Sequence, residues 1–363
     1  MARDIFSQTA NCELPIADQL RTANCKLKLS PKSLFNNSLI YIVILIRYFD
    51  TFLVVGFVKL MLSRENANMS FILAPVDTVE NISPSDFKKH YLEPRRPLVI
   101  KGLTNNWPAR EKWTPDYLKQ TVGKKIVPLY DNSKADPSKP INSAAAEMPF
   151  DDYIDLIMSE PTELRIFFFN IFKHAPQLLN DIAFPKELMG GFLESMPSMF
   201  FGGSNSVTFL HYDIDLPHIF HTHFGGKKHV ILFENKWKRR LYCIPNATYA
   251  LEEYDVLNPD VDKFPSLKGI QGSEVFLEHG DTLFMPTGYW HWMKYLEGGY
   301  SLSLRAWDAS ITRKAASIYN LAIKGGLDSV LKMAFKANYA RYRERVAVKW
   351  ADKALAKSEK LKA

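Results

Sequence analysis

Residues 210–233 read LHYDIDLPHIFHTHFGGKKHVILF, and this stretch decides the fold. Short β-rich runs at 207–213, 218–224 and 229–233 are separated by turn residues, with Gly225-Gly226 between the last two. Side chains two apart on a strand point to the same face, so His211 and Asp213 project together and can share one ion. The same alternation sets Ile219, His221 and His223 on one face.

Downstream, LEHGDTLFMPTGYWHWM (277–293) reads as a strand ending at a Pro-turn that presents His291. GGYSLSLRAW (298–307) places Ser301, Ser303 and Arg305 on one face and Leu302, Leu304 and Ala306 on the other. A lone strand histidine is more often structural than a ligand, and an H-x-D pair is common by chance. The combination of His211, Asp213 and His291 is far more specific. Two His and one carboxylate on one side of an ion leave other positions open, the arrangement used by non-haem iron(II) oxygenases.

These three segments together resemble the JmjC/cupin-like 2-oxoglutarate oxygenases. In particular they are similar to a bacterial group related to the asparaginyl hydroxylase of hypoxia-inducible factor. The likeness covers 200–307 and extends back to about 75 through YLEPRRPLVIKGLTNNWPA (91–109). It implies a double-stranded β-helix (jelly-roll/cupin) barrel, mainly β, with flanking helices, and an Fe(II) centre held by His211, Asp213 and His291. It further implies 2-oxoglutarate as cosubstrate, its distal carboxylate bound by Thr208, three residues before the first histidine, and by Lys228 after the turn. A solvated turn lysine is the other reading of Lys228. Two extra residues separate Asp213 from the Gly-Gly turn relative to the family pattern, and Ile219 falls where the asparaginyl hydroxylase has a cosubstrate-contacting Asn. His221 therefore either hydrogen-bonds the cosubstrate or fills the barrel. Arg305 is either a second 2-oxoglutarate clamp or the partner of an acidic residue, because an unpaired Arg directed into a barrel is costly.

Other runs fit the same cadence: strands at 97–100, 165–170, 275–277, 282–285 and 300–307, and helices opening at Ser85-Asp86, Thr114-Pro115 and Phe150-Asp151. Beyond Asp308 the pattern turns helical, with Leu331, Phe335, Tyr339, Tyr342, Val346 and Trp350 at three- and four-residue steps. Such a stripe needs a partner surface, either a second copy in a homodimer through the C-terminal helix or the chain's own barrel.

Three divisions follow: an N-terminal extension at 1–68, a catalytic domain at 69–308 and a basic helical tail at 309–363. The net charge of +7 is uneven. The tail has 13 Lys/Arg against 4 Asp/Glu and the first 68 residues 8 against 5, leaving 69–308 at −5. Nucleic acid is therefore not favoured as the partner of the chemistry, which leaves a protein or small-molecule substrate. The apolar run at 39–62 is broken by Arg47, Asp50 and Lys59, a poor membrane span, though a membrane anchor there is the alternative to a cytoplasmic protein. Met69 is the expected start of the part that carries the motifs. Cys12, Cys25 and Cys243 have neither the number nor the spacing of a disulfide framework or zinc site and fit a reducing compartment. A catalytically silent cupin-like binding module, which would be expected to have a damaged ligand set, and a zinc or manganese isomerase are the rival functions.

Overall fold

The computed structural model describes residues 71–133 and 144–361. The expectations for the N-terminal extension and its apolar run fall outside the described residues. The described residues belong to one compact unit running from Asn66 to Ala363.

Among the described residues fourteen strands run in chain order: β1 (Phe71–Pro75), β2 (Asp77–Val79), β3 (Leu98–Ile100), β4 (Ile126–Leu129), β5 (Ala146–Pro149), β6 (Arg165–Phe169) and β7 (Ser198–Gly202). They continue as β8 (Val207–His211), β9 (His218–His223), β10 (Lys228–Phe233), β11 (Ile270–Leu277), β12 (Thr282–Met285), β13 (Trp290–Tyr295) and β14 (Gly299–Ala306). One sheet has the order β1-β11-β10-β13-β8, a second β2-β3-β12-β9-β14-β7-β6, and β4 and β5 form a separate pair. The two large sheets face each other as a jelly-roll barrel of the cupin type, mainly β with flanking helices.

Alternation explains the packing. The odd-numbered positions of β9, β13 and β14 and the even-numbered positions of β10 turn into the barrel. Ile219, Val230, Leu232, Leu277, Leu283, Met285 and Met293 form an apolar cluster there. The residues between them point outwards. Phe220, Phe284, Leu302 and Leu304 pack with Phe87, Trp113 and Phe150 beneath the N-terminal helices, and Ile231, Phe233, Trp290 and Trp292 pack with Leu241 and Tyr242 on the other side. Both faces of the central strands are thus buried, which is why β9 and β10 read as nearly unbroken apolar and aromatic runs.

Three helices longer than two turns flank the barrel on its N-terminal and C-terminal sides before the last one: α1 (Pro115–Val122), capped by the Thr114 hydroxyl that accepts from the Tyr117 amide at 3.2 Å, α2 (Phe150–Ser159), and α3 (Ile311–Tyr319). The last, α4 (Gly326–Lys360), lies against its own chain. Its inward face is Asp328, Tyr339, Arg343, Ala347 and Ala351, all buried. Arg343 Nη1 meets Asp328 Oδ1 at 2.7 Å, Ser266 Oγ donates to the Ala351 carbonyl at 3.2 Å, and the Arg239 guanidinium sits 3.5 Å from the Trp350 ring centroid. Of the apolar stripe expected from the sequence, Tyr339 is buried, whereas Phe335 and Tyr342 are 59% and 57% exposed. The face is displaced because small and paired charged residues, not large apolar ones, make the contact. No helix among the described residues is long and apolar enough to cross a membrane.

The Gly225-Gly226 turn joins β9 to β10 and sets Lys228 as the first residue of β10. Gly226 adopts φ +65°, and a side chain on Gly299 would place its Cβ 1.8 Å from the Gly225 carbonyl oxygen, so glycine is required at both positions.

Candidate metal centre and cosubstrate pocket

β8 and β13 are neighbours, with His211 paired directly to His291. Asp213 follows on the loop after β8. The ligand-type atoms of His211, Asp213 and His291 lie within 4.8 Å of one another, a group able to hold a metal ion. The two imidazole rings are 4.2 Å apart between centroids, and Asp213 Oδ1 lies 3.5 Å from His211 Nε2 and 3.8 Å from His291 Nε2.

Backbone carbonyls orient both rings. His211 Nδ1 lies 2.8 Å from the Phe209 carbonyl and His291 Nδ1 3.3 Å from that of Tyr289, so each Nδ1 carries the proton and each Nε2 keeps its lone pair for an ion. Burial, then the neighbouring His211, push His291 down to about 3, which keeps it neutral. Burial disfavours the charged form of Asp213, but the Arg305 guanidinium, with help from the two imidazoles, holds its carboxyl well below the usual carboxylate range. Two imidazoles whose Nε2 atoms are free of protein partners' protons and one carboxylate, converging on one point, suit a divalent first-row ion. The loop after β8 is tied to the turn before β13: Leu216 N donates to the Asp213 carbonyl at 3.1 Å, and Thr287 Oγ donates to the Leu216 carbonyl at 2.7 Å.

Lys228 lies deeper in the barrel and is 1% exposed. From the five-stranded sheet its Nζ reaches across to the other sheet, 3.0 Å from His221 Nε2 and 2.7 Å from Ser301 Oγ, with the Tyr295 ring centroid at 4.0 Å. Lys228 is thus an interior group, not a solvated turn residue. Among the described residues no carboxylate pairs with it. Burial pushes its ammonium well below the ordinary value, and burial together with the Lys228 charge pushes His221 down as well. A neutral His221 that accepts from Lys228 donates through Nδ1 to Ser303 Oγ, 2.8 Å away and directly opposite on β14. The groups around the Lys228 Nζ carry no formal negative charge, so an anion would be its natural partner.

Thr208 raises a question of direction, since three residues separate it from His211 and simple alternation would put them on opposite faces. The structure answers with a bulge: Thr208 pairs with Met293 and His211 with His291, so three residues of β8 oppose two of β13. Thr208 therefore shares the inward face of Met293 and His291. Arg305 also points inward, but its guanidinium engages Asp213 at 2.8 Å through Nη1 and Asp215 through Nη2. Asp215 was not singled out from sequence, because it lies in the loop after β8, where strand alternation does not apply. Tyr295 likewise went unnoticed, because nothing local distinguishes it from a core tyrosine.

The chain belongs to the cupin-like domain family, whose profile matches residues 84–311. Its relatives place it with the JmjC-type proteins. It is 28% identical over 246 residues to lysine-specific demethylase 8 of Danio rerio, covering 64% of this chain and 59% of that one. It is 30% identical over 245 residues to JmjC domain-containing protein D of Dictyostelium discoideum, covering 61% and 53%. It is 30% identical over 239 residues to tRNA wybutosine-synthesizing protein 5 of Homo sapiens, covering 60% and 73%. The chain spans 59% and 53% of the lengths of the first two.

The unneutralised Lys228 yields a measurable consequence. Its pKa is lower in the folded than in the unfolded chain, so between those two values the unfolded chain binds more protons, and the ligand-free protein gains stability as pH rises through that window. Lys228→Met is expected to remove this pH dependence and, at neutral pH, to stabilise the ligand-free fold, because a buried ammonium without a counter-charge is replaced by an apolar side chain of similar volume. Chemical denaturation across pH checks both effects; a destabilised variant would mean that Lys228 is already compensated.

Proposed function

We propose that the protein is an iron(II)- and 2-oxoglutarate-dependent oxygenase that hydroxylates a C–H bond of a protein or small-molecule substrate. The observation that carries this reading is one barrel interior holding a convergent His-Asp-His group and, deeper, a buried lysine that lacks an anionic partner among the described residues. Iron(II), when bound, would supply activation of dioxygen coupled to decarboxylation of 2-oxoglutarate to succinate.

The chain's own residues bind, orient and shield. His211 and His291 offer Nε2 and Asp213 offers Oδ1 to the metal. Lys228 and Thr208 bind the distal carboxylate, and His221 holds the Lys228 Nζ in place through its bridge to Ser303. Ile219, Val230, Leu232 and Met293 line the interior with apolar surface and exclude water from the reacting groups. If the hydroxylated carbon is an N-methyl group, the product loses formaldehyde and the outcome is demethylation, in keeping with the names of the demethylase relatives. The narrower kinship with the asparaginyl hydroxylase of hypoxia-inducible factor belongs to the same proposal and rests on Thr208 and Lys228. Residues 69–308 form the catalytic part in this reading, and the protein works in the cytoplasm, a reducing compartment that fits three cysteines with neither the number nor the spacing of a disulfide framework.

Asp213→Ala is expected to abolish iron-dependent succinate release from 2-oxoglutarate in the presence of cell extract, with the circular dichroism of the barrel unchanged. Full succinate release by this variant would overturn the metal assignment, and a wild-type protein that binds 2-oxoglutarate yet never turns it over would favour the silent binding module.

The exposed Phe335 and Tyr342 of α4, with Leu327, Val330 and Met333 also exposed, support a homodimer through the C-terminal helix. Light scattering of the intact protein is expected to give the mass of two chains, and of the Phe335→Glu, Tyr342→Glu variant the mass of one with metal binding retained. A monomeric parent would reject the dimer.

A further inference from the structure

We infer that Arg305 is a positioning residue for the metal-binding carboxylate, forking between Asp213 and Asp215 so that Asp213 has one oxygen left for a metal. The inference rests on the oxygenase reading above. The two oxygens of Asp213 have different surroundings. Oδ1 faces the imidazole Nε2 atoms at 3.5 and 3.8 Å, while Oδ2 lies 2.8 Å from Arg305 Nη1. The other terminal nitrogen, Nη2, is bound by Asp215 Oδ1.

A carboxylate on a loop can rotate and bind an ion through one oxygen or both. Two-oxygen binding would occupy a position that a chelating cosubstrate or dioxygen needs. A planar guanidinium resists such rotation because both ends of its fork are committed, and the backbone of Arg305 is fixed opposite Ile219 in β14. Asp215 anchors the fork, two residues beyond Asp213 on the same side. The arrangement also separates this residue from the cosubstrate: the terminal nitrogens of Arg305 engage acids of the protein itself, whereas Lys228 has no carboxylate partner among the described residues.

A purely structural ion pair would leave the metal's ligand field unchanged, so the ligand field is the readout. The full-length protein, Arg305→Gln, Arg305→Lys and Asp215→Asn are titrated with Co(II), recording affinity and the visible ligand-field spectrum, followed by 2-oxoglutarate at saturating Co(II). Arg305→Gln is expected to bind Co(II) roughly 10- to 100-fold more weakly, the usual effect of losing a group that orients a ligand, with an altered spectrum. Arg305→Lys should recover part of the affinity, Asp215→Asn should show a smaller loss in the same direction, and 2-oxoglutarate affinity should be unchanged. Wild-type Co(II) affinity and spectrum in Arg305→Gln would overturn the inference, as would a loss confined to 2-oxoglutarate affinity. If Arg305→Gln does not fold, Asp215→Asn decides, and an unchanged affinity and spectrum there overturns it equally. Failure of the wild-type protein to bind Co(II) would instead bring down the oxygenase reading and this inference with it.

Discussion

A lysine ammonium held deep in a barrel without an anion is the constraint on which the rest of this structure depends. Burying a cation is costly unless it is paired, and among the described residues Lys228 is met by an imidazole lone pair, a serine hydroxyl and the face of a tyrosine. Each neighbour is set by that demand. His221 must be neutral to accept from Nζ, so its other nitrogen carries a proton, and Ser303 stands directly opposite to receive it. In the proposed reading, a dicarboxylate reaching down from the metal would bring the Lys228 ammonium a charged partner.

The opposite end of the interior is arranged by strand register. β8 and β13 place His211 beside His291, and backbone carbonyls select the ring nitrogens that remain free. The bulge in β8 then turns Thr208 inward, which a regular strand could not do while also presenting His211. Arg305 enters from the other sheet to hold the carboxylate. Ligand-type side chains from one sheet and orienting groups from both therefore converge on one volume beside an apolar cluster. The relation between fold and chemistry is direct: the barrel is what lets residues far apart in sequence meet at fixed distances.

Period-two alternation made much of this legible in the sequence. It placed His211 with Asp213, His221 with His223 and Ser301 with Ser303 and Arg305, and the strands expected at 282–285 and 218–224 run over 282–285 and 218–223. The same rule misleads at Thr208, because a bulge is an exception set by pairing and not by residue type. The partner of Arg305 was hidden for a related reason: Asp215 lies on a loop where no period applies. β1, β2 and β7 are short edge-proximal or mixed strands without clear alternation. In α4 the apolar stripe marked only part of the contact face, Tyr339 and Trp350, while Phe335 and Tyr342 are exposed and the rest of the contact is built from Ala347, Ala351 and the Asp328–Arg343 pair, residues that a hydrophobic pattern does not count.

The central claim is that Lys228 and the metal hold the two ends of one 2-oxo-dicarboxylate. Calorimetric titration of the anaerobic Fe(II) protein with 2-oxoglutarate and with 2-oxobutyrate, which keeps the chelating end but lacks the distal carboxylate, tests it most directly. The account predicts that 2-oxoglutarate binds on the order of 100-fold more tightly, the scale of a buried charge pair, and that Lys228→Met abolishes the difference. Equal affinities for the two ligands in the wild-type protein would contradict it.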